Sequence, residues 1–213
     1  MKVFVVGANG QIGQHLVHLL KESPEHTVRA MIRNEEQAKA FETIGVETRL
    51  ADLEGSVEGI VEAARGCDAF VFTAGSGGHT GADKTILIDL DGAAKSIEAA
   101  TILGIKRFIM VSAIQANNRE NWGSMKYYMT AKHHADKILK KSGLTYTIIR
   151  PGGLLNEPGT GNVSIAEDLP TASIPREDVA RTILATLTKE NTFNRSFDLV
   201  SGEVQISDAL NRV

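Results

Sequence analysis

At 213 residues, 42% hydrophobic and 23% charged, the chain has the length and composition of one globular domain built around a sizeable core. A net charge of −3 gives no basic footprint for nucleic acid or an anionic membrane, and no apolar run approaches the length of a membrane span. The single cysteine, Cys67, can form no internal disulfide and suits a reducing compartment. A cytoplasmic protein without a signal peptide is expected.

In chain order, Lys2-Val3-Phe4-Val5-Val6 reads as a buried parallel strand. Ile12, Leu16, Leu19 and Leu20 then recur at helical spacing, and Gly7, Gly10 and Gly13 mark the turn between strand and helix. Gly7 permits a tight turn, Gly10 lets a ligand approach the backbone, and Gly13 lets the helix pack close to the strand. The N–H groups around Asn9, Gly10, Gln11, Ile12 and Gly13, with the positive end of the helix dipole, suit a pyrophosphate. A dinucleotide is expected there.

Residues 27–32 form a second strand that ends in Arg33-Asn34, with no acid at its tip. A carboxylate at that place would bind the ribose 2′-hydroxyl of NAD, whereas an arginine can clamp a 2′-phosphate. NADP is therefore favoured over NAD, and Glu35 and Glu36 are read as opening the next helix. After a third strand at 46–50, Asp52 could accept from the adenine amino group or cap a helix. Further strands are expected at 69–73, 107–112, 145–150 and 196–200, with helices near 35–43, 56–65, 84–103, 124–142 and 176–189. Regular alternation implies a doubly wound α/β domain spanning 1–213, with about seven parallel strands in the order 3-2-1-4-5-6-7. The irregular stretches 75–83, 115–123 and 153–173 follow strand ends and are expected to shape the substrate pocket, the last as a small C-terminal lid.

Chemistry enters with Tyr128 and Lys132 in Tyr127-Tyr128-Met129-Thr130-Ala131-Lys132. Four residues apart on a helix, they share a face, and a nearby ammonium favours the ionised phenol that exchanges protons with a carbonyl or alcohol oxygen. Ser112 ends the fifth strand on the same edge as the glycine turn. Tyr127 lacks a lysine four residues on and is the weaker candidate.

Together Gly7-x-x-Gly10-x-x-Gly13, Asp52-Leu53, Thr73-Ala74-Gly75, Ser112, Tyr128-x-x-x-Lys132 and Arg150-Pro151-Gly152-Gly153 resemble the short-chain dehydrogenase/reductase superfamily over nearly the whole chain. The glycine spacing is similar to that of the extended and atypical branches, and the short stretch after Pro151 resembles the small NAD(P)-binding reductases and NmrA-like proteins. The resemblance implies that Tyr128 is the acid/base, Lys132 holds the nicotinamide ribose, and Ser112 orients the substrate oxygen. It further implies that Pro151 and Gly152 approach the nicotinamide, and that Leu53, Thr73, Ala74 and Gly75 line the cofactor. Extended members carry Asn-x-x-Gly on the helix after the fourth strand. Here Asp89-Leu90-Asp91-Gly92 puts Asp89 in that position, where it could hold a relay water through its carbonyl or pair with Lys132.

The expectation is an NADP(H)-dependent oxidoreductase acting on a small carbonyl or alcohol, as a monomer or homodimer. A nicotinamide-recycling epimerase or dehydratase and a non-catalytic NADP(H)-sensing regulator are the alternatives. His15 and His18 share a helix face, but no carboxylate or cysteine joins them, so no metal is expected. His133 and His134 are read as surface residues, and Trp122 as either a pocket lid or a loop anchor.

Overall fold

The computed structural model describes residues 1–78 and 80–213. Strand β1 (Lys2–Val6) carries no polar residue after Lys2 because both of its faces are covered. On one face Val3 and Val5 meet Leu16 and Leu20 of helix α1 (Gln11–Glu22). On the other, Phe4 and Val6 join a cluster with Phe70 and Phe72 of β4 (Ala69–Phe72) and Phe108 and Met110 of β5 (Arg107–Val111). The Phe4 and Phe70 rings meet edge to face at 5.1 Å, and Phe70 stacks on Phe108 at 5.7 Å. Each such ring, fully buried, contributes about 1.5–3 kcal/mol. These rings bind the centre of the sheet to the helices beneath it.

Between these elements lie β2 (Thr27–Ile32), α2 (Glu35–Glu42), β3 (Glu47–Leu50) and α3 (Val57–Ala64). Asn34 caps α2 by accepting from Gln37 N at 3.0 Å, and Ser56 caps α3 in the same way through Gly59 N. Beyond β4 the chain enters a three-residue α4 (Ala82–Lys84), widens into a π-helical stretch over Thr85–Gly92, and continues as α5 (Ala93–Ile102). One regular helix over 84–103 was the expectation. The wide turns place Asp89 inward, and such stretches are frequent at functional sites.

After β5 come α6 (Lys126–Lys141), β6 (Thr145–Pro151), the short β7 (Gly153–Leu155), β8 (Asn162–Ala166) and β9 (Ser173–Pro175). Helix α7 (Arg176–Thr186), β10 (Arg195–Ser201), β11 (Val204–Gln205) and α8 (Ile206–Leu210) complete the chain. Strands β3-β2-β1-β4-β5-β6-β10 run parallel in that spatial order, which is the expected sequence with β10 as the seventh strand. Two further strands extend the sheet to nine. β8 lies antiparallel to β10, and β11 antiparallel to β8.

Strand β8, with β7 and β9 at its flanks, corrects the reading of 153–173 as a loop. Asn162-Val163-Ser164-Ile165-Ala166 alternates polar and apolar residues, and Val163 and Ile165 face the cluster that holds Phe197 and Leu199. The flanks of the segment, β7 and β9, pair in a separate two-stranded sheet. No helix among the described residues is long and apolar enough to cross a membrane.

Candidate active site

The turn from β1 into α1 has room for backbone alone. Gly7 holds φ +84°, and a Cβ there would sit 2.5 Å from Ala74 N. A Cβ on Gly13 would lie 2.2 Å from Gly7 O, and one on Gly10 would lie 3.1 Å from the same oxygen. Gly10 N donates to Gly7 O at 2.9 Å, and Thr73 Oγ1 donates to Val6 O and Gly7 O at 3.0 and 3.2 Å. Thr73 therefore fastens the turn from the neighbouring strand. Gly10 is the N-cap of α1 and has no side chain to occupy the first-turn N–H groups of Gln11, Ile12 and Gly13. Asn9 and Gln11 are exposed at the rim, while Ile12 is buried in the core and offers only its backbone. A compact cradle of free N–H groups at a helix start fits a pyrophosphate.

Arg33 and Asp52 lie exposed beyond β2 and β3 on the same edge. Arg33 fixes its backbone by donating N–H to Gln37 Oε1 at 2.9 Å, and its guanidinium makes no ion pair among the described residues. Asp52 accepts from Glu54 N at 2.9 Å, so its carboxylate stabilises a turn, while the helix cap falls to Ser56. Leu53 is buried against Gly92, which leaves its backbone as the part that could meet a ligand. Gly152 owes its lack of a side chain to packing, because a Cβ would lie 2.0 Å from Ala172 O. Pro151 O accepts from Ile114 N at 2.9 Å, joining the end of β6 to the segment after β5. Of the expected loop 75–83, residue 79 lies outside the described residues.

The polar centre lies beside this cradle. Lys132 is 4% exposed and Asp89 1%, and Asp89 Oδ1 stands 3.0 Å from Lys132 Nζ, an ion pair outside hydrogen-bond angles. Asp89 Oδ2 accepts from Ser76 N at 3.0 Å, tying the segment after β4 to the lysine. Lys132 Nζ also donates to Val111 O at 3.5 Å and lies 5.6 Å from the centre of the Tyr128 ring. Burial works against the ammonium, but Tyr128, Asp89 and Asp136 outweigh it and hold Lys132 above the usual lysine value. Tyr128 is half-buried and packs with Trp122 against Ala113, Ala116 and Met129. Ser112 follows β5, with its N–H donating to Ile149 O at 2.8 Å and its hydroxyl buried without a partner among the described residues. Ser112, Tyr128, Lys132 and Asp89 thus lie around one centre, while Tyr127 is exposed.

Sequence reasoning missed the groups behind that centre. Arg150 is fully buried, with Nε 3.4 Å from Asp136 Oδ2 and a terminal nitrogen 3.3 Å from Asp198 Oδ1. Asp136 follows Lys132 by four residues, so the spacing that joined Tyr128 to Lys132 would have reached it. Of two further readings, one is decided between its alternatives and one needs correction. Trp122 is an anchor, with Nε1 donating to Gln115 O at 3.2 Å and its ring edge-on to His133 at 5.4 Å. His133 is half-buried rather than superficial, with Nδ1 2.8 Å from Ala116 O, and burial lowers its pKa. Cys67 is buried, and burial pushes its thiol up. Among the described residues no group of three His, Cys, Asp or Glu could hold a metal ion.

The model for NAD(P)H-binding proteins matches residues 7–190, from the first glycine of the cradle to the start of the last turn before β10. The chain belongs to the NAD(P)H-binding family. This NAD(P)H-binding protein is 64% identical to the Bacillus subtilis protein named uncharacterized sugar epimerase YhfK, over 100% of both chains. A solved structure from Bacillus halodurans, provisionally described as an NAD-dependent epimerase/dehydratase, superposes with TM-score 0.94 at 42% identity over 100% of both chains. The oxidoreductase ylbE of Lactococcus lactis superposes with TM-score 0.91 at 32% identity, over 100% of this chain and 96% of that one.

Proposed function

We propose that this protein is an NADP(H)-dependent oxidoreductase that interconverts a small carbonyl compound and its alcohol, with Tyr128 as acid/base. The observation that carries the reading is the meeting of half-buried Tyr128 with the buried Lys132 ammonium beside the cradle edge. Hydride transfer is the chemistry a bound nicotinamide would supply. The protein's part is to bind and orient. Free N–H groups at the start of α1 would take the pyrophosphate, Arg33 the 2′-phosphate, and Asp52 with the backbone of Leu53 the adenine. Thr73, Ala74 and Gly75 would flank the cofactor, and Pro151 and Gly152 would face its nicotinamide end. Tyr128 would give its hydroxyl proton to the substrate oxygen as the carbonyl carbon gains hydride, and regain it from solvent. Lys132 would hold the ribose and stabilise the charge left on Tyr128, with Asp89 restraining its position. Ser112 would hold the substrate oxygen. No nucleic acid or membrane partner is proposed, and a cytoplasmic monomer or homodimer is the expected form.

A second reading, a nicotinamide-recycling epimerase or dehydratase, is favoured by the sugar-epimerase name of the 64% identical relative. Assay of NADPH oxidation over carbonyls and quinones, beside nucleotide sugars followed for epimerisation, separates the two. Tyr128→Phe should cut turnover by roughly 10²–10⁴-fold while NADPH still binds. Wild-type and Tyr128→Phe proteins equally inert towards every compound would leave the NADP(H)-sensing regulator, and the enzymatic reading would fall.

A further inference from the structure

The hydride chemistry above leaves unused the charge cluster behind Ser112. Asp136 is 4% exposed, and only Oδ2 is engaged, by Arg150 Nε. Its other oxygen, Oδ1, and the Ser112 hydroxyl are both buried without a well-aligned partner among the described residues. Ser112 extends β5 beside Arg150 of β6, where its N–H donates to Ile149 O at 2.8 Å. Lys132, one turn before Asp136 on α6, reaches Val111 O at 3.5 Å, so β5, β6 and α6 bring the two groups together around Arg150. Burial pushes the Asp136 carboxyl up, and Ser112 is first among the groups that oppose this, ahead of Arg150, Lys140 and Lys132. Every element around the carboxyl contributes a group. Ser112 comes from the end of β5 and Arg150 from β6, while Lys132 and Lys140 share α6 with Asp136. Asp198 of β10 faces it across Arg150, and Asp89 and Tyr128 face it across Lys132.

A hydroxyl has one proton to donate, so whichever neighbour takes it decides what remains for the pocket. An ionised Asp136 only accepts, and would draw the Ser112 proton to itself. The pocket would then meet a Ser112 oxygen able only to accept, which suits an alcohol. A protonated Asp136 donates to Ser112 Oγ and frees the serine proton for a carbonyl oxygen. We infer that Asp136 is a positioning residue that sets whether Ser112 donates to a carbonyl or accepts from an alcohol. Where it concerns turnover, this rests on the oxidoreductase reading. The contact between Asp136 and Ser112 does not.

The same cluster reaches the pocket rim. Asp198 Oδ2 accepts from Leu169 N at 3.1 Å, and Leu169 O accepts from Gln115 Nε2 at 2.7 Å. Gln115 is buried and holds φ +63°, a conformation rare for a residue with a side chain. Its amide oxygen accepts from Asn121 at 2.6 Å, so one residue clamps the 115–123 loop to the 168–169 loop. Arg150 and Asp198 thus join Asp136 to both loops.

The test follows the carbon-13 carboxyl resonance of Asp136 against pH in the full chain, in wild-type and Ser112→Ala proteins. The serine variant leaves Arg150 and its partners intact. Loss of a hydroxyl that favours the ionised carboxylate should move the Asp136 midpoint further up. An unchanged Asp136 midpoint overturns the inference whatever the enzyme does. The second arm measures NADPH-dependent reduction of phenanthrenequinone by wild-type and Asp136→Asn proteins. An asparagine amide donates at every pH, so the rise of KM with pH expected of wild type should flatten in the variant, with kcat less affected. Parallel pH profiles also overturn the inference. A wild type inert towards the quinone would count against the proposed function and leave the titration to decide.

Discussion

Two charge clusters lie on opposite sides of β1, and they invert one another. In the half that carries the cofactor cradle, the single anion Glu47 meets Lys2, Arg29 and Arg49 at 2.6, 2.9 and 2.9 Å. In the half that carries Ser112 and Tyr128, one guanidinium, Arg150, meets two anions, Asp136 and Asp198. The Glu47 side chain keeps 31% of its exposure, whereas those of Arg150 and Asp198 keep 2% and 0%. Their carboxyls respond oppositely. Burial opposes the charge of Glu47, yet hydrogen bonds from Lys2 and Arg29 outweigh it and hold the group below the usual glutamate value. Burial dominates at Asp136 and Asp198 and pushes both above the usual aspartate value, despite Arg150. Proximity of an opposite charge does not by itself fix the sign. Solvent access decides whether it wins.

Removal of the central charge should expose that difference. Arg150→Met keeps the length of the side chain and strands two buried carboxyls, so denaturant unfolding should show a loss of about 3–5 kcal/mol. Because both aspartates can then take up protons, the loss should shrink as pH falls. A variant as stable as wild type at neutral pH would show that the cluster is neutral already.

The same contrast explains what the sequence made legible. The cofactor cradle was readable because its parts are close in sequence. Three glycines with one short strand and one amphipathic helix define it, and its geometry is that of the backbone rather than of side chains. Tyr128 and Lys132 were readable because one helical turn joins them. Arg150, by contrast, reaches partners 14 and 48 residues away, the first once α6 packs on β6 and the second once β6 pairs with β10. No local pattern marks such a pairing, although an arginine and an aspartate inside apolar strands (Ile149-Arg150-Pro151 and Phe197-Asp198-Leu199) are the trace it leaves. Strand β8 escaped notice for a related reason. Its alternation is only five residues long and lies in a stretch bounded by glycine and proline, where loops are expected.

A smaller effect sharpens the comparison within the cofactor half. Arg33 is solvated and free of ion pairs among the described residues, so it contributes little to folding and is available to a ligand. Arg33→Ala should weaken NADPH binding by about 1.5–3 kcal/mol in calorimetric titration, the scale of hydrogen bonds to a charged group. NADH affinity and the unfolding midpoint should barely change. Equal losses for both cofactors would remove the 2′-phosphate clamp.

The smallest effect is the most direct check on the inversion itself. Glu47→Gln should cost under about 1 kcal/mol at neutral pH, since a partly solvated pair is screened and spends side-chain entropy to form. Its pH dependence has a definite sign. A carboxyl held lower in the folded state stabilises above its unfolded pKa, and loses that contribution as pH falls through the folded value. The wild-type advantage over Glu47→Gln should therefore be present at neutral pH and vanish in acid, below the ordinary glutamate range. Asp136, held higher, must behave in reverse. Its contribution is complete below the ordinary aspartate value and declines as pH rises through the folded one, so wild type should lose ground to Asp136→Asn over that interval. Urea unfolding of the three proteins from acid to neutral pH would give two difference curves of opposite slope. Slopes of the same sign would mean that Arg150 overrides burial, and that the two clusters are not inverse after all.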